Sequence, residues 1–481
     1  MTTSESLFIG GEWTDSAATA TISVLSASTG QPIGTAVSAD RADVDRAVGA
    51  ARAAFDDPAG WSVWPPDERA DVLERMAAEL EAVSESTART VSEQNGMPIT
   101  VSTQIEAVFP VAMIRYYAGL LRSEAVETSR PGMFGGTTHV RREPAGVVAA
   151  VAPWNFPQAL AAQKYAPALA AGCTVVLKPS PQTVLDTRAV AEAAMKAGVP
   201  AGVLNVLPAE ADASAYLVGH PGVDMVAFTG STAIGRQIAG ICGPLIRPVI
   251  LELGGRSAAV ILDDADLDLG RAGEALFGSM LINNGQTCFL STRVLAPRSR
   301  YAEVVETLAA FAGSLTVGDA LEPDTQIGPL VSERQRHNVE RAIPQGISDG
   351  ARLVTGGARP EGLGGGWFLQ PTVLADVDNR WPIAREEIFG PVLTITPYDG
   401  DEEAVALAND SDYGLAGTVW TSDVERGLDV ARRIRTGTVG INGYLPDLSA
   451  PFGGVKQSGL GRELGPDGLA SYYRTKSIYQ R

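Results

Sequence analysis

The stretch that decides the fold reads GVVAAVA at residues 146–152 and CTVVLK at residues 173–178, with an alanine-rich segment near residues 158–171 between them. Short apolar runs bounded by Gly or Pro are typical of buried strands, and the longer segment between them has the length of a helix. A further helix and two more apolar runs continue the alternation to residue 228. Strands that alternate with helices predict a parallel, doubly wound sheet of the α/β class.

Working outward from this stretch, a second alternating series has apolar runs at residues 258–262, 293–295, 392–395 and 437–442. It includes a predicted helix over residues 267–283, and before the first series residues 38–54 and 66–92 also have helical spacing. Two series predict two α/β domains. We place the first domain at residues 1–122 and 146–254, and the second at residues 255–448.

Two segments, residues 123–145 and 462–481, fit neither sheet. The first resembles a β-hairpin turning at Gly135-Gly136, and the tail at residues 470–479 is extended in character. An exposed strand edge invites pairing with another chain. Pairing between subunits predicts a homodimer or homotetramer, and the alternative is that both segments fold back on their own domain.

Composition limits the classes of partner and of chemistry. The 481 residues include 38 Lys and Arg against 56 Asp and Glu, a formal charge of -18, which argues against nucleic acid or an anionic membrane as partner. Three cysteines at long spacing suit a reducing cytoplasm, and neither a signal peptide nor a membrane span is visible. With three histidines, no metal site is expected.

Two short motifs offer a nucleophile and a base. Cys288 ends the segment NGQTC, a polar, Gly-containing setting in which a thiol can be exposed, whereas Cys173 and Cys242 lie in contexts that favour packing. Glu252 in LELGG is predicted at the carboxyl edge of a strand, where partial burial would raise its pKa and suit a general base. An inert cysteine and a solvated surface glutamate are the ordinary alternatives.

Two further motifs offer hydrogen-bond donors. Asn155 is the polar group of PWNFP, where a fixed amide N–H could hold an oxyanion, although a structural Asn in a tight turn would look the same. The segment FTGSTAIG at residues 228–235 has small residues after a strand, as needed to approach a phosphate at a helix N-terminus. It matches neither GxGxxG nor a P-loop, so a plain strand-turn-helix remains the alternative.

Taken in order, these motifs resemble the NAD(P)-dependent aldehyde dehydrogenase superfamily. The likeness also rests on Lys178 in KPSP and on Glu387 and Phe389 in EEIFGPV, and it extends from FIGGEW at residue 8 to PFGGVKQSG at residue 451. The resemblance implies two Rossmann-like domains, with a dinucleotide bound to the first and the nucleophile carried by the second. It also implies that residues 123–145 and 462–481 are oligomerisation strands.

The resemblance implies covalent catalysis in two steps. Cys288 attacks the aldehyde to give a thiohemiacetal, Asn155 and the Cys288 N–H stabilise its oxyanion, and hydride transfer leaves a thioester. Glu252 then activates the water that releases the carboxylic acid. Lys164 and Glu463 fall where some relatives keep a buried ion pair linked to a proton relay, and a structural salt bridge would look identical in sequence.

The resemblance also implies binding residues. For the cofactor they are Val151, Ala152, Pro153, Trp154, Lys178, Ser180, Pro181, Phe228, Gly230, Ser231, Ile234, Glu252, Leu253, Glu387 and Phe389. For the aldehyde they are Leu160, Gln163, Phe289 and Phe452, with the loop 444–449. The bulky Phe289 beside the nucleophile favours an apolar or aromatic aldehyde.

The cofactor is expected to be NAD, and NADP stays open. Many NAD-preferring relatives carry a glutamate three residues after the lysine, where it repels a 2′-phosphate, and this chain has Pro181 there. Two alternative functions also stay open. One is a CoA-acylating dehydrogenase, in which a thiol rather than water takes the acyl group, and the other is a non-catalytic protein that kept the fold.

Overall fold

The computed structural model describes residues 2–4 and 6–481, with side chains from residue 6 onward. Its helices in chain order are α1 (Arg41–Asp56), α2 (Pro66–Ala82), α3 (Ser84–Asn95), α4 (Ile99–Ile105), α5 (Phe109–Ser123), α6 (Pro157–Ala171), α7 (Thr187–Ala197), α8 (Ala211–Gly219), α9 (Thr232–Cys242), α10 (Leu269–Met280), α11 (Tyr301–Ser314), α12 (Glu333–Asp349), α13 (Pro382–Arg385), α14 (Gly400–Asn409), α15 (Val424–Arg433) and α16 (Gly465–Ala470).

The strands in chain order are β1 (Thr2–Ser4), β2 (Ser6–Ile9), β3 (Glu12–Asp15), β4 (Thr21–Leu25), β5 (Pro32–Val37), β6 (Glu127–Pro131), β7 (Thr137–Pro144), β8 (Val147–Val151), β9 (Thr174–Lys178), β10 (Leu204–Val206), β11 (Met225–Thr229), β12 (Val249–Glu252), β13 (Ala258–Ile261), β14 (Arg293–Pro297), β15 (Arg352–Thr355), β16 (Thr372–Ala375), β17 (Val392–Tyr398), β18 (Gly417–Trp420), β19 (Gly440–Ile441), β20 (Gly459–Leu460) and β21 (Tyr473–Gln480).

The first large sheet is built around β8 and β9, the stretch that the sequence singled out. Its order is β20-β12-β11-β8-β9-β10-β2-β3, with parallel pairing from β12 to β10 and antiparallel pairing toward both edges. Every residue of β8, β9 and β11 is buried, because helices cover both faces of the sheet. Helix α6 is buried at every position, which explains its lack of a polar face.

The second large sheet has the order β15-β16-β17-β14-β13-β18-β19 and is parallel apart from the edge strand β15. Helices α10 and α11 contribute to one core against it, and residues of α14 and α15 contribute to another. The predicted α/β class with two doubly wound sheets is therefore confirmed. Smaller sheets form from β1, β5 and β4 and from β21, β7 and β6.

The C-terminal strand pairs with the hairpin of its own chain. Strand β21 runs antiparallel to β7 from Tyr473 opposite Pro144 to Gln480 opposite Thr137, and β6 pairs with the other edge of β7. Strand β7 therefore pairs on both edges with strands of the same chain, as the fold-back alternative requires. Strands β6 and β21 each use one edge in this pairing. The outer strands β6 and β21 remain almost wholly exposed.

Local breaks account for the differences from the sequence prediction. The helical region 66–92 is two helices, because Val83 leaves helical geometry with φ -114° and ψ 9° between α2 and α3. The helix predicted to reach residue 283 ends at Met280, because Asn283 and Asn284 adopt left-handed conformations with φ 52° and 60°. Within residues 2–4 and 6–481, no helix has the length and apolarity to cross a membrane.

Candidate active site

A cavity of about 650 Å³ brings together most of the residues that the sequence motifs singled out. Those from the first sheet and its loops are Val151, Ala152, Pro153, Trp154, Asn155, Lys178, Ser180, Phe228, Gly230, Ser231, Ile234 and Leu253. Cys288, Glu387 and Phe389 line the same cavity from the second sheet's side. Pro181 lines an adjoining cavity that shares Lys178 with the first, and Glu252, the residue before Leu253, is buried and is not among the residues that line the first cavity.

Cys288 differs from the other two cysteines in exposure. It is partly exposed at the cavity, whereas Cys173 and Cys242 are buried. Its surroundings raise the pKa of the Cys288 thiol well above the usual range, first through burial and then through the charges of Glu387 and Glu252. The thiol is therefore neutral in the resting site and needs a base or a nearby positive charge to become nucleophilic.

The loop before Cys288 is fixed by buried amides and by a close backbone approach. The side chain of Asn284 donates to the carbonyls of Gly96 and Pro329 at 2.8 and 2.9 Å and accepts from the Gly328 N–H at 2.6 Å. Gly285, at φ +74°, passes so near Gly390 that an added Cβ would lie 2.3 Å from its carbonyl carbon. A larger residue there would push apart the loops that carry Cys288 and Phe389.

Asn155 lies between β8 and α6 and is tied to the same loop. Its side-chain Nδ2 donates to the Gln286 carbonyl at 3.1 Å, and its own carbonyl accepts from the Asn283 amide at 2.8 Å and the Asn95 amide at 3.2 Å. The second N–H of the Asn155 amide is left for a ligand in the cavity. The motifs did not reveal Asn95, Asn283 or Gln286, because polar residues in loops carry no sequence signal of their distant partners.

Glu252 ends β12 and is 3% exposed. Neither of its carboxylate oxygens accepts a well-formed hydrogen bond from the described residues, although the backbone N–H of Gly454 lies close enough to lower the pKa of Glu252. Burial is the main reason that the pKa of Glu252 is raised well above its usual value, and the nearby Glu463 adds to the effect while Lys164 opposes it. Gly453 passes close by, since an added Cβ there would lie 2.5 Å from Oε1 of Glu252.

Lys164 and Glu463 form a fully buried ion pair next to Glu252. The Lys164 ammonium donates to Glu463 at 2.7 Å and to the Thr229 hydroxyl at 2.5 Å, and both charged side chains are 0% exposed. Burial raises the pKa of Glu463, and the bond to Lys164 opposes that change. Thr229 was not singled out in the sequence, although it directly follows the Phe228 that was.

The rest of the cavity provides donors and close approaches that suit a dinucleotide. Burial lowers the pKa of Lys178 to about 8, and the Ser231 side chain caps the N-terminus of α9 by accepting from the Ile234 N–H at 3.4 Å. Glu387 accepts from the Gly255 N–H at 2.9 Å. The ring of Phe389 meets that of Trp154 edge to face, with 5.3 Å between centroids.

The residues expected to contact the aldehyde divide into two groups. Phe289 packs its ring 4.8 Å from that of Tyr444, and both lie with Cys288 against the core that includes Phe452. Leu160 belongs to a separate apolar cluster with Met97, Val101, Phe156 and Ala159. Gln163 is 8% exposed, and its side-chain oxygen is unpartnered within the described chain.

Comparisons with known proteins agree with this geometry. A model of the aldehyde dehydrogenase family matches residues 13–478. The chain is 53% identical over 473 residues to a geranial dehydrogenase of Castellaniella defragrans, covering 98% of each protein. It superimposes with a TM-score of 0.97 on a Mycobacterium tuberculosis aldehyde dehydrogenase complexed with NAD+, at 46% identity, covering 100% of this chain and 99% of the other.

A second solved structure is a mutant of aldehyde dehydrogenase C from Pseudomonas syringae, in complex with NAD+ and octanal. The TM-score is 0.95 at 39% identity, and the match covers 99% of this chain and 96% of that one. Together with the family match over nearly the whole chain, these similarities show that the chain belongs to the aldehyde dehydrogenase family, whose members oxidise an aldehyde to the carboxylic acid with NAD(P) as hydride acceptor.

Proposed function

We propose that this chain oxidises apolar aldehydes with NAD through a covalent intermediate on Cys288. The observation that carries the proposal is the position of Cys288, a partly exposed thiol on the same cavity as Lys178, Ser231 and Glu387. A nucleophile and a dinucleotide groove that share one cavity suit a reaction in which a carbonyl carbon bonds to sulfur and then gives up hydride.

The first step forms a bond between the Cys288 sulfur and the carbonyl carbon. As this bond forms, the negative charge moves to the carbonyl oxygen, where the free N–H of the Asn155 amide and the Cys288 backbone N–H stabilise it. The amide of Asn155 is held by Gln286, so it needs no reorganisation as the charge develops. Burial raises the pKa of the thiol, so the thiolate depends on a nearby positive charge, which a bound oxidised nicotinamide would supply.

The residues at the cavity fit a dinucleotide. Lys178 is a buried amine that faces the cavity, and Ser231 precedes α9 where a phosphate would meet the helix N-terminus. Gly254 lets Glu387 lie close to the backbone, because a Cβ added to Gly254 would be 2.4 Å from Oε2 of Glu387. When bound, the oxidised nicotinamide accepts the hydride, and its positive charge favours the thiolate. Glu387 would hold the nicotinamide ribose, and Phe389 and Trp154 would flank it.

The second step hydrolyses the thioester. Glu252 takes a proton from water as the water oxygen attacks the acyl carbon, and sulfur leaves as the thiolate. Neither Glu252 oxygen is engaged by a described side chain, so both would be unoccupied acceptors for a water molecule that reached the thioester. The buried pair of Lys164 and Glu463 beside Glu252 suits a relay of that proton. The Thr229 hydroxyl, which accepts a hydrogen bond from Lys164, helps to hold the ammonium in place.

The substrate class is an apolar aldehyde, linear or aromatic. Phe289 and Tyr444 form an aromatic wall beside Cys288, and the similar proteins are named for geranial or hold octanal. Leu160, Gln163 and Phe452 complete the set that we assign to the aldehyde. The cofactor is NAD, as in the two solved relatives.

The assembly is a homodimer or homotetramer in the cytoplasm. The exposed outer strands β6 and β21 support subunit pairing, as does the hairpin tip, where Met133 and Phe134 are 91% and 100% exposed. Three free cysteines suit a reducing compartment. We assign residues 1–122 and 146–254 to the cofactor domain, 255–448 to the catalytic domain, and 123–145 and 462–481 to oligomerisation.

A panel of aldehydes with NAD and NADP, followed by absorbance of the reduced cofactor, tests the function. We expect the highest kcat/KM for apolar aldehydes and loss of activity in Cys288→Ala, with Cys173→Ala as the matched buried-cysteine control. Activity retained by Cys288→Ala would contradict the proposal. A requirement for CoA would indicate the acylating reaction, and no turnover of any aldehyde would indicate a non-catalytic protein.

A further inference from the structure

Arg256 is a buried cation that forms no direct ion pair with a described carboxylate, and Glu387 acts on it only through its charge. It lies in the turn between β12 and β13, is 2% exposed, and donates to the Ile383 carbonyl at 2.7 Å, to the Thr394 hydroxyl at 3.2 Å and to the Thr292 hydroxyl. Among the ion pairs of the described side chains it has none. A buried charge held by neutral acceptors alone is costly, so its retention calls for a physical reason.

The neighbouring buried arginine, Arg293, has such a reason. It donates to the carbonyls of Leu407 and Ala408 at 2.7 and 2.9 Å, near the C-terminus of α14, where the helix dipole favours a cation. The Ile383 carbonyl bound by Arg256 belongs instead to the four-residue helix α13, which leads directly into Glu387. The bond therefore acts on the segment that carries a residue of the cofactor cavity.

Two adjacent residues hold that segment at two points. Arg256 bonds to Ile383 at its start, and the N–H of Gly255 bonds to the Glu387 carboxylate at 2.9 Å. The Glu387 carboxylate lies directly over this turn, because an added Cβ on Gly254 would come within 2.4 Å of its Oε2. The positions of α13 and of the carboxylate are thus fixed together by residues 254–256.

We propose that Arg256 is a positioning residue for cofactor binding, which acts by holding the α13 segment so that Glu387 meets the nicotinamide ribose. The inference rests on the proposed function, because it takes Glu387 as the ribose-binding residue. Charge supports the geometry. Burial raises the pKa of Glu387 to about 7, and the Gly255 N–H and Arg256 oppose this rise, so Arg256 also favours the carboxylate that a ribose hydroxyl needs.

The test is a double-mutant cycle with Arg256→Met, Glu387→Gln and the double variant. Arg256→Met should raise the KM for NAD and slow the burst of reduced cofactor, each about tenfold, because misplacement of a positioned group slows transfer. Hydrolysis of an ester such as p-nitrophenyl acetate uses Cys288 and Glu252 but no hydride transfer, and should change less than about twofold. The double variant should be no worse than Glu387→Gln alone.

Two further variants separate positioning from general stability. Arg256→Lys keeps the charge and one carbonyl bond, and should recover the KM for NAD to within about threefold of the starting chain. Arg69→Met removes a buried arginine that bonds to the Trp64 and Ala170 carbonyls away from the cavity, and should leave the KM for NAD unchanged.

Three outcomes would overturn the inference. In the first, the effects of the two substitutions on the KM for NAD multiply in the double variant. In the second, Arg256→Met loses ester hydrolysis and the burst to the same extent. In the third, Arg256→Met leaves the KM for NAD unchanged while Glu387→Gln is impaired. The last leaves the proposed role of Glu387 intact. An unchanged KM and burst in Glu387→Gln would instead remove that role, and the inference with it.

Discussion

Helix α6 contributes one residue to each of two buried carboxylate clusters, which differ in their hydrogen bonds. The cap cluster, at the N-terminal end of α6, consists of Glu106, Asp186 and Gln158. Gln158 donates through its backbone to Glu106 at 2.7 Å and through its side chain to Asp186 at 2.5 Å. The base cluster consists of Glu252, Glu463 and Lys164, in which Lys164 bonds to Glu463 and Glu252 accepts no hydrogen bond from a described side chain.

A raised pKa does not distinguish the clusters, since burial raises it in both. It raises the pKa of Glu106 to about 8 and that of Asp186 to about 6, and it also raises that of Glu252. The difference lies in the donors. Amides occupy both Asp186 oxygens and one Glu106 oxygen, which fixes helix ends, whereas neither Glu252 oxygen accepts a hydrogen bond from a described side chain. Glu106 and Glu463 each leave one oxygen without a partner, whereas Glu252 leaves both, and this is the feature that we connect with its proposed role as the base.

Exchanging one carboxylate for an amide in each cluster should give the largest contrast. Glu252→Gln removes the base and should lower kcat by about 10³-fold, with a burst of reduced cofactor retained because the thioester still forms. Glu106→Gln should change kcat less than about threefold, since Glu106 only caps α6. Stopped-flow measurement of the burst and the steady state checks both. Equal losses in the two variants would break the comparison.

Breaking the ion pair should give the next largest effect, on stability. Lys164→Met leaves Glu463 buried without its partner and should lower the free energy of unfolding by about 3–5 kcal/mol. Lys164→Met combined with Glu463→Leu should recover most of that loss. Thermal unfolding monitored by circular dichroism measures both. A Lys164→Met variant as stable as the starting chain would show that Lys164 does not stabilise the buried Glu463 carboxylate.

Two amides at the N-terminal end of α6, Asn155 and Gln158, separate a catalytic role from a structural one. Asn155→Ala removes the oxyanion donor and should lower kcat/KM by about 10²-fold to 10³-fold. Gln158→Ala removes a bond to Asp186 and should instead destabilise the fold by about 1–3 kcal/mol with kcat little changed. Kinetics and thermal unfolding of the two variants decide this, and a catalytic loss confined to Gln158→Ala would contradict the assignment.

The cap cluster also predicts a pH dependence of stability. The folded pKa of Glu106, about 8, exceeds the usual value of 4.5, so the folded state binds the extra proton between these values. The stabilisation of the folded state by this proton is complete below pH 4.5 and is lost as the pH rises through about 8. Glu106→Gln removes this titration, so its Tm should fall less than that of the starting chain across that window. Parallel Tm curves would refute the assignment.

The sequence predicted what local pattern and motif determine. The fully apolar β8 and β9 reveal buried parallel strands, and Cys288, Asn155 and Glu387 meet at one cavity, as the family resemblance implied. The break at Val83 was missed because no Gly or Pro marks it, and the end of α10 was missed because Asn283 turns left-handed.

Long-range contacts were beyond the reach of local patterns. The buried ion pair joins residues 299 positions apart and was expected only from the family resemblance, whereas the bond from Arg256 to Ile383, which spans 127 positions, was not expected at all. Nothing in a short motif indicates which distant backbone carbonyl a buried guanidinium meets. The pairing of β21 with β7 depends in the same way on where the chain returns in space.

The covalent intermediate on Cys288 can be observed by mass spectrometry of the Glu252→Gln variant, mixed with NAD and octanal and quenched in acid. We expect an octanoyl thioester on the peptide that contains Cys288, in amount equal to the reduced cofactor formed in the burst. A burst without an acyl group on Cys288, or with the acyl group on Cys173 or Cys242, would contradict it.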